Sequence, residues 1–145
     1  MNIATLSDRI NTLSSDSQRL WGQMSVGQML THCTDQVQIV LGEKPANKFS
    51  NALFRKLAKW MFLNVPMRMP RNLMTAPELD PNGPLMTQPS DFKKDHANLL
   101  AALHRLNNVP ESQPITHPVF GAMSKAEAMK LTQIHLDHHL RQFGV

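Results

Sequence analysis

The sequence predicts an all-α protein of four main helices and one accessory helix. Apolar residues recur every three or four positions in five separate segments, which is the period of an amphipathic helix. Serine-containing start signals precede three of these segments, and no segment shows a convincing strand pattern. The 145 residues, 41% of them hydrophobic and 18% charged, suit one globular domain spanning residues 1–145.

The first two helices follow from local signals. Apolar residues at helical spacing between positions 3 and 13 predict the first helix, which the polar run 14–17 ends. Ser25 and Gln28 form a capping-box pattern that begins the second helix. Gly42 follows Leu41 and is typical of a helix C-terminus.

Residues 48–63 predict the accessory helix, with one apolar and one basic side. Such a helix could dock on an anionic membrane or a partner protein. The favoured interpretation is that it packs on the bundle and leaves its basic side in solvent. Prolines recur after it and predict a long loop over residues 65–90. These prolines are Pro66, Pro70, Pro77, Pro81, Pro84 and Pro89.

The last two helices are predicted on either side of a second loop. Ser90 and Asp91 begin one helix, which Asn107 and Asn108 close. Residues 109–123 are predicted as loop. The final helix is expected over residues 125–142, after Ser124.

Composition excludes several classes of function. The net charge of +4 is only mildly basic, and neither a stacked aromatic platform nor zinc-finger spacing indicates nucleic-acid binding. No apolar run approaches the roughly 20 residues that cross a bilayer, so no membrane partner is expected. The single cysteine, Cys33, and the absence of a signal-peptide pattern favour the cytoplasm. Cys33 itself is expected to be a small buried hydrophobic residue.

The final helix carries two histidines on its buried side. His135 and His139 are four residues apart and therefore share one helical face with the apolar residues. Buried imidazoles are costly unless their nitrogens have partners, and a transition metal is one such partner. Two core histidines bonded to protein oxygens are the alternative. His135 with His138, three residues apart, would also suit a metal.

A third ligand must come from another helix, and His32 is the best candidate. It lies at the boundary of the apolar stripe of the second helix, where it lines a cleft or faces water. His96 could be a fourth ligand, a site base or a satisfied core histidine, and the last is favoured. His104 is expected to be exposed, and His117 to pack within its loop.

These motifs together resemble the DinB-like superfamily of metal-binding four-helix bundles, in a branch known only as a domain of unknown function. The resemblance implies a bundle with an accessory helix and a long proline-rich loop between the second and third bundle helices. It also implies that His32, His135 and His139 bind one divalent ion. The matching segments are 29–33, His135-x-x-x-His139-x-x-Gln142, 21–24, 75–79, 117–121 and 135–144.

The expected function is that of a metal-dependent enzyme, a thiol-dependent transferase or a hydrolase, that uses zinc, nickel or ferrous ion. The expected partner is a small-molecule substrate, with a low-molecular-weight thiol suggested by some relatives in the superfamily. A homodimer is expected by analogy only. The alternative is a non-catalytic metal-binding or protein-interaction module. The sequence identifies no catalytic acid or base.

Overall fold

The chain folds into helices joined by loops and one small sheet, as a computed structural model of residues 3–47, 51–65, 68–71 and 75–145 shows. Within these ranges there are five α-helices, one short 3-10 helix and two strands. The helices are α1 (Ile3–Asn11), α2 (Val26–Leu41), α3 (Ala52–Asn64), α4 (Phe92–Asn108) and α5 (Lys125–Gln142), the 3-10 helix is Pro77–Leu79, and the strands are β1 (Ile115–His117) and β2 (Gly121–Met123).

The helix ends confirm the capping signals read from the sequence. Ser25 accepts a hydrogen bond from the Gln28 backbone N–H, and the Gln28 side chain accepts one from the Ser25 backbone N–H. Ser124 and Glu127 form the same reciprocal pair at the start of α5. Gly42 ends α2 with φ of 76°, in the left-handed region that favours glycine.

Most of the buried apolar side chains lie on α1, α2, α4 and α5. Helix α2 contacts α4 and α5, while α1 contacts the same two helices. Asp137 on α5 also accepts a 2.8 Å hydrogen bond from Arg9 on α1, which ties these two helices together. The largest fully buried side chains are Leu6, Ile10, Met29, Leu30, Leu99, Leu103, Leu106, Leu136 and Leu140.

The expectation that residues 109–123 contain no strand is wrong. β1 and β2 pair antiparallel in this segment, with Thr116 opposite Ala122. Each strand has only three residues, which is too short for an alternating pattern to stand out in the sequence. Gly121 has φ of 71° and allows the chain to re-enter the sheet after the turn.

Helix α3 packs on α5 and β2, but it faces them differently from the prediction. Leu53, Leu57 and Trp60 were expected to face the bundle and are instead 61–79% exposed. Lys59, expected in solvent, is half-buried and forms a 3.1 Å ion pair with Glu127 on α5. This ion pair and the burial of Leu63 fix the rotation of the helix. The predicted start at residues 48–50 and the stop at Pro66 lie outside the described residues.

In the described part of the chain, no helix combines the length and the apolar character that crossing a bilayer requires.

Candidate metal centre

Ring nitrogens of three histidines from two helices lie close together. His32 comes from α2, His135 and His139 come from α5, and one ring nitrogen of each lies within 4.8 Å of those of the other two. His32 Nε2 and His135 Nε2 are 3.0 Å apart. Since zinc–nitrogen bonds are about 2.0–2.1 Å long, two ligands at 90–109° would be roughly 2.9–3.4 Å apart. The pair therefore has the spacing of two ligands of one ion.

Hydrogen bonds fix the orientation of the His32 ring. Its Nδ1 lies 2.9 Å from the carbonyl oxygen of Leu79, which can only accept. The proton therefore sits on Nδ1, and Nε2 keeps its lone pair toward the centre. His32 is only 3% exposed, because the 3-10 helix of the proline-rich segment covers a position that the sequence placed at a boundary.

His139 is oriented in the same way by Gln142. The Gln142 amide donates to the Trp21 carbonyl oxygen at 2.9 Å, so that its Oε1 faces His139. His139 Nδ1 lies 3.1 Å from that Oε1 and donates to it. The lone pair of Nε2 is again left free. Histidine ligands of metals usually donate their second nitrogen to an oxygen in this manner.

Gly22 makes room for the Gln142 amide. Its φ is 81°, and an added Cβ would lie 2.1 Å from Gln142 Nε2. No side chain fits at this distance unless the amide moves. The glycine of the 21–24 motif is therefore required both by the backbone conformation and by its neighbour.

His135 differs from the other two histidines. Its Nδ1 is buried and has no hydrogen-bond partner among the described residues. Burial, reinforced by the neighbouring imidazoles, lowers the pKa of His135 well below the ordinary 6.5. Burial also lowers the pKa of His32 and, well below 6.5, that of His139. The three rings are therefore neutral near pH 7, which is the state that binds metals.

A family model described as a protein of unknown function, DUF1569, matches residues 2–144. The chain belongs to the DUF1569 family. Neither a curated protein nor a solved structure matches it. The family description names no activity.

The remaining histidines of this DUF1569 protein lie outside the cluster of three ligand atoms. His138 donates from Nδ1 to the Met69 carbonyl oxygen at 3.2 Å. His96 is half-buried, and its Nε2 lies 3.2 Å from the carbonyl oxygen of Ile10, as expected for a satisfied histidine. His104 is exposed, as predicted.

His117 closes the turn between β1 and β2. Its Nδ1 accepts hydrogen bonds from the backbone N–H groups of Val119 and Phe120, at 3.2 and 3.3 Å. Burial lowers the pKa of His117 to about 4. The ring is therefore neutral, with its proton on Nε2. His117 thus ends β1 and packs against the turn that follows, and its ring also borders the cleft described next.

A cleft of about 510 Å³ opens beside the three imidazoles of this DUF1569 chain. Its volume lies in the usual range for small-molecule sites, roughly 300–1,000 Å³. Phe54 and Phe62 of α3 line it together with Phe120, and Gln36 of α2 borders it one turn after His32. Sequence reasoning gave a cleft at His32 as one of two alternatives and missed Gln36. The only signal for Gln36 was its four-residue spacing from His32.

Cys33 is fully buried, as expected, and burial raises the pKa of its thiol. It is therefore a protonated core residue, which is a poor nucleophile.

Proposed function

We propose that this protein binds a divalent transition metal through His32, His135 and His139, and that it is a metal-dependent enzyme. The observation that carries the proposal is the orientation of His32 and His139. Each donates from Nδ1 to an oxygen, which leaves the lone pair of its Nε2 free for a metal ion, and the two rings belong to one cluster of three histidines. An adventitious pair of buried histidines does not need this arrangement at both rings.

The proposed architecture is a DinB-like four-helix bundle with α3 as its accessory helix. The contacts between helices support it, because they close a ring in the order α1, α4, α2, α5. The ligands then come from the neighbouring helices α2 and α5. A metal site between facing helices is common in bundle proteins.

The three ligands are neutral, so they leave the charge of a divalent ion undiminished. Three protein ligands also leave at least one coordination position for water or substrate. When bound, zinc, nickel or ferrous ion would supply Lewis acidity, which suits hydrolysis or the activation of a low-molecular-weight thiol for transfer. The apolar cleft walls would exclude water around a small-molecule substrate.

The exposed apolar side of α3 favours a second candidate function, that of a non-catalytic interaction module. Leu53, Leu57 and Trp60 present large apolar side chains to solvent on one face. Contiguous exposed apolar surface often marks a site of association. Under this interpretation the metal would be structural, and a second copy of the chain is one candidate partner.

Metal analysis of untagged protein tests the proposed site. We expect near-stoichiometric metal in the wild type and in His104→Ala, which changes an exposed histidine. His139→Ala and His32→Ala should lose the metal and keep a helical circular dichroism spectrum. Unchanged metal content in His139→Ala would overturn the assignment.

Activity assays then separate the two candidate functions. Apo and remetallated protein are compared with a generic electrophile plus a thiol, and with a simple ester. Turnover that returns with the metal supports the enzyme. Inertness toward all of these probes in fully loaded protein supports the interaction module.

A further inference from the structure

Gln36 is a buried amide whose polar atoms have no partner. Its side chain is 4% exposed, and neither Nε2 nor Oε1 has a hydrogen-bond partner among the described residues. It follows His32 by one helical turn, so both side chains lie on the same face of α2. It also borders the cleft.

A buried amide without hydrogen-bond partners lowers the stability of the folded protein. Leaving buried donors and acceptors unpaired costs about 1–3 kcal/mol by mutational measures. A leucine of similar size would avoid that cost. Buried polar groups in folded proteins nearly always have partners, so a missing partner is best sought in a ligand.

We infer that Gln36 recognises the amide group of a small apolar substrate in the cleft beside the proposed metal site. Both ends of its amide are unpaired, so the complementary group must offer an acceptor and a donor side by side. A primary carboxamide does so, and so does a cis secondary amide such as a lactam. A carboxylate offers only acceptors and would face Oε1 unfavourably.

The rest of the ligand should be mainly apolar, because aromatic and aliphatic side chains supply most of the surface of the cleft that Gln36 borders. Phe54, Phe62 and Phe120 form part of this wall. The neutral His117 adds no charge to attract an anion. The inference thus deepens the proposed function by naming a substrate class, and it rests on that function only for the role of the metal.

Three probes of similar shape test the inference. Benzamide offers a donor and an acceptor, acetophenone only an acceptor, and ethylbenzene neither. Their dissociation constants are measured by ligand-observed NMR on metal-free and on zinc-loaded protein. We expect wild-type protein to bind benzamide about tenfold more tightly than ethylbenzene, equivalent to about 1.4 kcal/mol, with acetophenone between them.

Gln36→Leu should remove this preference and leave ethylbenzene binding unchanged. Gln38→Leu is the matched control, because Gln38 lies on α2 but borders a separate polar cavity between α2 and α4. That variant should keep the wild-type preference. If Gln36→Leu fails to fold, Gln36→Met gives the same comparison with an unbranched side chain.

A benzamide preference that persists in Gln36→Leu would overturn the inference, and so would no benzamide binding at millimolar concentration. The measurements on metal-free protein test the role of Gln36 independently of the proposed metal site. Gln36-dependent discrimination without any metal retention would refute the metal site alone. Stoichiometric metal without such discrimination would refute only the role of Gln36.

Discussion

Gln142→Leu should weaken metal binding without unfolding the protein. The wild-type amide accepts from His139 Nδ1 at 3.1 Å and donates to the Trp21 carbonyl oxygen at 2.9 Å. Leucine has a similar volume but makes neither bond. Gln142 is therefore a positioning residue, which would act on the metal through His139.

The magnitude follows from these two hydrogen bonds. At about 0.5–1.5 kcal/mol each, they contribute about 1–3 kcal/mol to holding the His139 ring in place. Loss of a hydrogen-bond partner behind a histidine ligand typically costs 10- to 100-fold in metal affinity, which is about 1.4–2.7 kcal/mol. The two values overlap, so we expect a loss of affinity within that range.

The assay is a zinc competition titration against a chromophoric chelator, combined with thermal unfolding of the metal-free protein. Gln142→Glu should stay within about tenfold of the wild type, because a carboxylate still accepts from His139. Gln133→Leu is the control on the same helix, since Gln133 is half-buried and lies outside the cleft. Wild-type zinc affinity in folded Gln142→Leu would refute the reasoning.

Three further predictions concern the site and the fold. Gly22→Ala should weaken zinc binding in the same titration and lower the free energy of unfolding by at least about 1 kcal/mol. The reason is that the alanine Cβ would lie 2.1 Å from Gln142 Nε2, at a residue with a positive φ. Wild-type zinc affinity and stability in this variant would contradict the prediction. Metal-free protein should lose stability as the pH falls from about 6.5 to 4, at roughly 1.4 kcal/mol per pH unit per titrating histidine. The reason is that histidines of the unfolded chain take up protons in this range, while His117 in the folded protein, with a pKa of about 4, stays neutral. An unfolding free energy in urea that does not change with pH would contradict this prediction. Leu63→Ala should lower the free energy of unfolding in urea by about 2–5 kcal/mol, because Leu63 is only 7% exposed. Leu57→Ala should lower it by less than about 0.5 kcal/mol, because Leu57 is 62% exposed. Equal losses in the two variants would mean that α3 packs by its other face.

The features that sequence reasoning predicted are those encoded by neighbouring residues. Ser25 and Gln28 are three positions apart, and their reciprocal bonds need only a helix start. His135 and His139 share a face because of helical periodicity alone. The five helices were predictable for the same reason.

The features that it missed depend on contacts between distant parts of the chain. The burial of His32 results from Leu79, which lies 47 residues further along the chain. The rotation of α3 depends on an ion pair between Lys59 and Glu127, which no local pattern encodes. The unpaired amide of Gln36 could not be predicted, because it depends on the distant segments that line the cleft.

His135 differs from His32 and His139 in that its tautomer would have to change before it could bind a metal through Nε2. His32 has its proton on Nδ1, so in the metal-free protein a hydrogen bond across the 3.0 Å between the two rings would need His135 Nε2 as the donor and His32 Nε2 as the acceptor. To serve as a ligand through Nε2, His135 must move that proton to Nδ1, which is buried and has no acceptor among the described residues. His32 and His139 need no such change, because Leu79 and Gln142 already hold their protons on Nδ1. Two of the three proposed ligands are thus held in the required tautomer by Leu79 and Gln142, and only His135 would change its tautomer on binding a metal through Nε2.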